Sequence, residues 1–161
     1  MPREILSIEI DAPCDVVFHL IHDYDRRLEW DSMLSEARLL AGATAAGPGV
    51  RSLCIGTWRN AYLALETEYI RFEPGRVAAV NLTNHPPFFE RFAATIRHDA
   101  ISEVRSRLTY IYSFRTRPRC VALLLEPIMN AMLRREVRDR LHSLRGFLEG
   151  MATCKRELTT S

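Results

Sequence analysis

Residues 103–116 alternate between two kinds of side chain, and this alternation constrains the fold more than any other feature of the chain. One series is mostly polar and contains Glu103, Arg105, Arg107, Thr109, Ser113 and Arg115. The other is mostly apolar and contains Val104, Ser106, Leu108, Tyr110, Tyr112 and Phe114. Successive side chains of a strand point to opposite faces of its sheet. The segment is therefore predicted to be a strand with one wet and one dry face, which is typical of an antiparallel sheet covered on one side.

Similar strand patterns recur upstream. Residues 90–98 also have a dry side, and His98 falls on it. Short turn signals such as Glu73-Pro74-Gly75 separate the segments. The remaining strand-like segments are residues 6–10, 34–40, 50–55, 61–72 and 77–83. The sequence thus predicts a seven-stranded antiparallel sheet.

A long amphipathic pattern from Pro127 to Met151 predicts a C-terminal helix. Its apolar stripe is Leu133, Val137, Leu141, Leu144, Leu148 and Met151. Arginines, Arg140 among them, are assigned to the rest of its surface. Two short helices are predicted after the first strand, one beginning near Asp15 and one over residues 26–30. The predicted class is α+β, with the long helix covering the dry face of the sheet.

Length and composition indicate an ordinary globular chain. Its 161 residues are expected to form a single domain over residues 1–161, with 47% hydrophobic and 26% charged residues. No apolar stretch approaches the roughly 20 residues of a transmembrane helix. The first residues lack the layout of a secretory signal, and the four cysteines are unpaired in spacing. A cytoplasmic protein with reduced thiols is expected.

Several classes of function are disfavoured by the absence of their motifs. The net charge is only +2, and no nucleic-acid-binding module is recognisable, so no nucleic acid partner is expected. His19 and His22 are three residues apart, but no third ligand stands at a readable spacing, so no metal site is expected. There is no phosphate-binding glycine loop, Rossmann fingerprint or G-x-S-x-G sequence. We therefore expect no cofactor.

Three stretches, in this order, resemble one known family. They are residues 8–18, residues 23–30 with an aspartate followed by Trp30, and residues 140–149 in the closing helix. Together with the order of elements, they resemble the START-like, or SRPBCC, superfamily and its polyketide cyclase/dehydrase-like branch. This resemblance implies a helix-grip fold, in which a curved sheet wraps around one long C-terminal helix. The superfamily contains lipid carriers, hormone receptors, aromatase/cyclases and hydroxylase components, so the fold does not select an activity.

The resemblance favours an internal cavity between sheet and helix, a natural place for an apolar ligand. The strand Ala61 to Phe72 has ambiguous parity: its other face, with Tyr62, Ala64, Glu66 and Glu68, would bring two carboxylates inside. The predicted ligand-binding residues are Trp30, Leu63, Leu65, Tyr69, Phe92, His98, Tyr110, Tyr112, Met129, Met132, Leu133, Val137 and Leu141.

Polar groups on the dry face are candidates for chemistry. Tyr110, Tyr112 and His98 would orient a ligand carbonyl or donate a proton to it, although a buried tyrosine more often makes a structural hydrogen bond. The turn His85-Pro86-Pro87 is followed by Phe88 and Phe89, which are expected to be exposed and to mark an entrance.

The functional hypothesis is binding of a hydrophobic small molecule, lipid-like or aromatic, in the internal cavity. One alternative is a cofactor-independent polyketide aromatase/cyclase that uses the cavity Tyr and His groups. A second alternative is a regulatory or interaction protein with a filled cavity. Polar groups converging deep in the cavity would favour the enzyme, and a purely apolar lining would favour carriage. The sequence identifies neither the ligand nor the oligomeric state.

Overall fold

The computed structural model describes residues 2–57, 63–118, 120 and 122–159. Ala61 and Tyr62, which the sequence places in a strand, lie outside the described residues. The strands are β1 (Arg3–Ile10), β2 (Leu34–Leu39), β3 (Arg51–Gly56), β4 (Ala64–Glu73), β5 (Val77–Leu82), β6 (Phe89–Ser102) and β7 (Arg105–Thr116). The helices are α1 (Cys14–His22), α2 (Arg27–Trp30) and α3 (Ala122–Thr159).

All seven strands form one antiparallel sheet in the order β1-β7-β6-β5-β4-β3-β2. The chain therefore meanders from β2 to β7, and β1 joins the far edge beside β7, with Arg3 opposite Ser113 and Ile10 opposite Ser106. The pairing register shifts in β2, in β4 and twice along β6. Such irregularities increase the local twist and bend of a sheet. The curved sheet and the long C-terminal helix form the helix-grip fold expected from the sequence.

Helix α3 carries the predicted apolar stripe, but it is longer than predicted. Leu133, Val137, Leu141, Leu144 and Leu148 are buried in the main core. Met151, assigned to the same stripe, is 40% exposed. The helix begins at Ala122, five residues before the expected start, with Pro127 inside it. No helix in the described part of the chain is both long and apolar enough to cross a membrane.

The buried side chains form two clusters. The larger lies between α3 and the β1, β6 and β7 strands and includes Tyr112, Phe114 and Trp30. The smaller lies where α1 crosses the sheet and is centred on Phe18, Tyr69 and Ala78. The candidate site lies where these two clusters approach each other, because Tyr69 and Tyr112 both line it.

Candidate ligand-binding cavity

A cavity of about 120 Å³ lies between the sheet and α3. Strands β4, β5 and β6 form much of its wall, and α3 contributes the opposite side. The apolar lining side chains are Met33, Leu34, Leu63, Leu65, Ala78, Val80, Phe92, Ala94, Ile96, Leu133 and Val137. The lining residues of β5 and β6 alternate along their strands, as expected for one face of a sheet. The dry face of the sheet is thus also the wall of the cavity.

The parity of β4, left open by the sequence, is settled by the structure. Leu65, Thr67 and Tyr69 line the cavity, as does Leu63 just before the strand. Glu66 lies on the opposite face, where its Oε1 is 2.9 Å from Nη1 of Arg51. The alternation of β4 puts its glutamates on the solvent side of the sheet, so β4 contributes no carboxylate to the cavity.

One part of the cavity lining is strongly charged. Arg27 and Arg140 both line the cavity, and both contact the fully buried carboxylate of Asp31. Asp31 Oδ2 lies 3.1 Å from Arg27 Nε and 2.9 Å from Arg140 Nε. Burial on its own would raise the pKa of Asp31, but the two guanidinium groups outweigh it and lower that pKa. Asp31 is therefore an ionised bridge between the end of α2 and the middle of α3.

Arg27 is held by further contacts. Its Nη1 donates a hydrogen bond of 2.7 Å to the carbonyl of Ile21, at the end of α1. Its guanidinium carbon lies 4.6 Å from the centre of the Trp30 ring, a cation–π arrangement. Trp30 does not line the cavity itself, but its ring packs against Arg27, which does. The three contacts leave Arg27 little freedom to change its position.

Three hydrogen-bonded side chains form another polar part of the lining. Tyr69 Oη lies 2.9 Å from His22 Nδ1 and 3.1 Å from Tyr24 Oη. Burial, assisted by the charge of Arg27, lowers the pKa of His22 well below its usual value. Burial also raises the pKa of Tyr69 well above its ordinary range. The trio is therefore uncharged at neutral pH, and it can orient a polar ligand group without carrying charge.

Two further titratable groups line the cavity. Burial raises the pKa of the Tyr110 phenol. Glu136 precedes Arg140 by one helical turn, so the two share a face of α3. Burial raises the pKa of Glu136, and the charge of Arg140 partly opposes that shift. Glu136 is thus a lining carboxyl whose pKa is raised, and shifted pKa values of this kind cluster at functional sites.

A family model described as "Polyketide cyclase / dehydrase and lipid transport" matches residues 6–149. The chain belongs to this family. The matched residues include every strand from β2 to β7 and most of α3. A sequence search of curated proteins gives no match.

Solved structures show the same fold at low identity. A START superfamily protein from Mycobacterium smegmatis is 9% identical with a TM-score of 0.75, over 92% of this chain and 98% of that one. The Zhui aromatase/cyclase from Streptomyces sp. R1128 is 18% identical with a TM-score of 0.72, over 92% and 93% of the two chains.

A third structure is the di-domain ARO/CYC BexL from the BE-7585A biosynthetic pathway, 14% identical with a TM-score of 0.74. The alignment covers 92% of this chain and 47% of BexL, so this family member spans about half the length of the di-domain protein. At these identities the likeness concerns the fold alone.

The structure brings eight of the thirteen predicted ligand-binding residues to the cavity. Those that line it are Leu63, Leu65, Tyr69, Phe92, Tyr110, Tyr112, Leu133 and Val137. Trp30, Met129 and Leu141 are instead buried in the main core, and Met132 packs against that core. Within β7, sequence parity correctly separates the dry face from the wet one, whereas Val104, assigned to the dry series, precedes the strand and is 69% exposed. Parity does not tell which part of a dry face is filled by neighbouring side chains.

His98 was predicted to line the cavity, but the structure places it elsewhere. It is on the dry face, but α1 covers that part of the sheet, and the His98 ring lies 5.1 Å from the Phe18 ring. Neither ring nitrogen has a hydrogen-bond partner among the described residues. His98 therefore does not line the cavity, and this geometry does not support it as a candidate for chemistry beside Tyr110 and Tyr112.

The two aromatic residues expected to mark an entrance, Phe88 and Phe89, lie in different environments. Phe88 has a φ of 68°, a left-handed conformation that is uncommon for a large side chain, and it is 47% exposed. Phe89 begins β6 and is fully buried, with its ring 6.0 Å from that of Phe114. The expectation of exposure is wrong for Phe89, because the turn directs the two neighbouring rings to opposite sides.

The charged end of the cavity was missed by sequence reasoning, which assigned Arg140 to the solvent face of α3. The spacing of Arg140 in the sequence nevertheless indicates that it is buried. Arg140 follows Val137 by three residues and precedes Leu144 by four, so its spacing places it on the buried stripe. A buried arginine needs an anionic partner, and Asp31 supplies it. No group of three potential metal ligands comes together within the described ranges.

Proposed function

We propose that the protein binds a small, mainly apolar molecule that carries at least one oxygen function. The observation that carries this proposal is the cavity itself: apolar side chains form its sheet wall, and Arg27, Arg140, Glu136 and several phenols complete it. Pockets with apolar walls and a few placed polar groups are typical small-molecule sites. The apolar body of the ligand would lie against the sheet, and its oxygen would face the polar groups.

Apolar contact should supply most of the affinity. Burial of apolar surface contributes about 25 cal/mol per Å², so a ligand hiding some hundreds of Å² gains several kcal/mol. One neutral hydrogen bond adds only about 0.5–1.5 kcal/mol net. The volume of about 120 Å³ is comparable with the roughly 150 Å³ apolar cavity that takes up benzene. The enclosed space therefore suits one or two rings or a short acyl segment.

Filling the cavity should weaken binding. Leu65 is a partly buried wall residue, so Leu65→Trp places a larger ring in the cavity. We expect it to weaken binding of 2-naphthol at least roughly tenfold, a loss of about 1.4 kcal/mol. Isothermal titration calorimetry measures this directly.

The matched control is Leu53→Trp. Leu53 is also a partly buried leucine, on β3, and it is not part of the cavity lining. It should leave 2-naphthol affinity unchanged within about twofold. Equal losses in both variants, or no binding of 2-naphthol to the parent protein, would contradict the proposed site.

The cavity tyrosines should tune orientation rather than dominate affinity. Tyr110→Phe should weaken 2-naphthol binding by no more than about tenfold, since one hydrogen bond is at stake. Tyr112→Phe should have a smaller effect, because the Tyr112 hydroxyl already donates to Oδ1 of Asn130 at 3.4 Å. Titrations of the two variants beside the parent provide the comparison. A larger loss in Tyr112→Phe would show that this hydroxyl serves the ligand.

A second candidate function is cofactor-independent cyclisation of a polyketide chain. Its support is the placement of Glu136 one turn from Arg140, both at the cavity. Glu136 would take a proton from an activated methylene, and Arg140 would stabilise the resulting enolate oxygen. A poly-β-ketone substrate that the parent converts, and that Glu136→Gln or Tyr110→Phe binds but does not convert, would favour this function over carriage.

A further inference from the structure

A second, larger concavity lies on the other side of the cavity wall. This groove of about 660 Å³ runs between the end of α1 and the segment that connects β2 to β3. Apolar side chains line much of it, including Phe18, Phe72, Ala37, Leu39 and Ala46. Its polar lining includes Asp23, Asp25 and Arg38. The groove is therefore amphipathic, with apolar surface next to the protein interior.

Two side chains belong to both spaces. His22 and Tyr24 line the internal cavity and also line the groove, so they form the partition between them. Both are hydrogen-bonded to the same hydroxyl, that of Tyr69, which lies 2.9 Å from His22 and 3.1 Å from Tyr24. Tyr24 belongs to the short connection between α1 and α2, outside both helices. It is the member of the partition that can move without unwinding a helix.

The volumes of the cavity and the groove indicate how the two spaces could be used together. The cavity alone, at about 120 Å³, is smaller than the roughly 300–1,000 Å³ typical of ligand pockets. The cavity and the groove together fall within that range. We infer that the groove is the outer half of one ligand site, and that an elongated acyl-chain molecule lies in both spaces after Tyr24 moves aside.

This inference rests on the proposed function and extends it by naming the ligand class. One end of the chain occupies the cavity, and the remaining methylenes lie along Phe72 and Leu39 in the groove. The hydrogen bonds of the Tyr24 hydroxyl with Tyr69 and Ser52 must break for the two spaces to join. Because both bonds are neutral, their combined cost is small beside the surface that a long chain buries.

Chain length provides the test. In a series from hexanoate to palmitate, affinity for the parent protein should rise roughly three- to fourfold per methylene beyond the length that fills the cavity. Ala45, an exposed residue in the groove lining, becomes an obstruction in Ala45→Trp. That variant should remove the gain for palmitate and leave hexanoate and 2-naphthol unchanged. Ala100→Trp, at an exposed alanine on β6 outside the groove, is the matched control and should bind like the parent.

Tyr24→Ala is a second variant, expected to bind a pyrene-labelled long-chain acid with a faster association rate because the partition is removed. Stopped-flow fluorescence with a pyrene-labelled long-chain acid measures that rate. An affinity that stops rising at short chains, a palmitate affinity unaffected by Ala45→Trp, or an unchanged rate in Tyr24→Ala would overturn the inference. If such a result is obtained while Leu65→Trp still weakens 2-naphthol binding, the cavity remains the proposed ligand site and only the role of the groove is rejected. If 2-naphthol does not bind the parent, the proposed function fails as well.

Discussion

Asp31→Ala should destabilise the protein by about 3–5 kcal/mol, the usual cost of removing one partner of a buried ion pair. Asp31 is fully buried between Arg27 and Arg140, and both guanidinium groups are largely removed from solvent. Without the carboxylate, two cations face each other without a compensating charge. Urea denaturation followed by circular dichroism gives the free energy of unfolding.

Asp139→Ala is the matched control. Asp139 also pairs with an arginine one helical turn away, Arg135, at 3.8 Å, but that arginine side chain is 78% exposed. Exposed pairs of this kind contribute about 0.3–0.5 kcal/mol. Similar losses in the two variants would show that Asp31 is not the ionic link between α2 and α3. In an Arg140→Met background, the cost of Asp31→Ala should fall, because only one cation is then left unpaired.

Acidification should destabilise the protein through His98. Burial lowers the pKa of His98 from 6.5 to about 4 in the folded state. Between these values the unfolded chain binds a proton that the folded chain does not, so stability falls as the pH decreases through this window. The difference amounts to about 3 kcal/mol once the pH is below about 4. His22, whose pKa burial also lowers, acts in the same direction.

Replacing His98 separates its contribution from those of other groups. The His98→Leu variant should lose less stability than the parent between pH 7 and pH 4, because no buried imidazole has to take up a proton. His142→Leu, at an exposed position on α3, serves as the control. Urea midpoints measured across this pH range test the expectation. Parallel curves for the parent and His98→Leu would contradict it.

The sheet was predictable because its two faces differ in chemistry along most of its length. In β7, the side chains predicted to be dry, from Ser106 to Phe114, do face the helix side, since a strand offers only two faces. The parity of β4 was not predictable. Its two faces carry Leu65 and Tyr69 on one side and Glu66 and Glu68 on the other, and neither is purely apolar. The pairing with β3 and β5 decides which side is covered.

The polar part of the candidate site depends on contacts that local pattern does not contain. Asp31 and Arg140 are far apart in sequence, and their pairing requires the packing of α2 against α3. The packing of α1 on the sheet also depends on contacts between residues far apart in sequence. It determines that His98 packs on Phe18 rather than lining the cavity. Periodicity assigns a residue to a face, whereas three-dimensional packing decides what lies opposite that face.

The pairing of β1 with β7 has a consequence for synthesis. Ser7 and Thr109, whose hydroxyl oxygens are 3.1 Å apart, are separated by 102 positions. At about 5–20 residues per second, the first strand leaves the ribosome roughly 5–20 s before its partner. During that interval Ile8 and Ile10, buried in the finished protein, have no strand to pair with. The nascent chain should therefore be more dependent on chaperones than the completed one, and stalling translation before β7 should yield an aggregation-prone product.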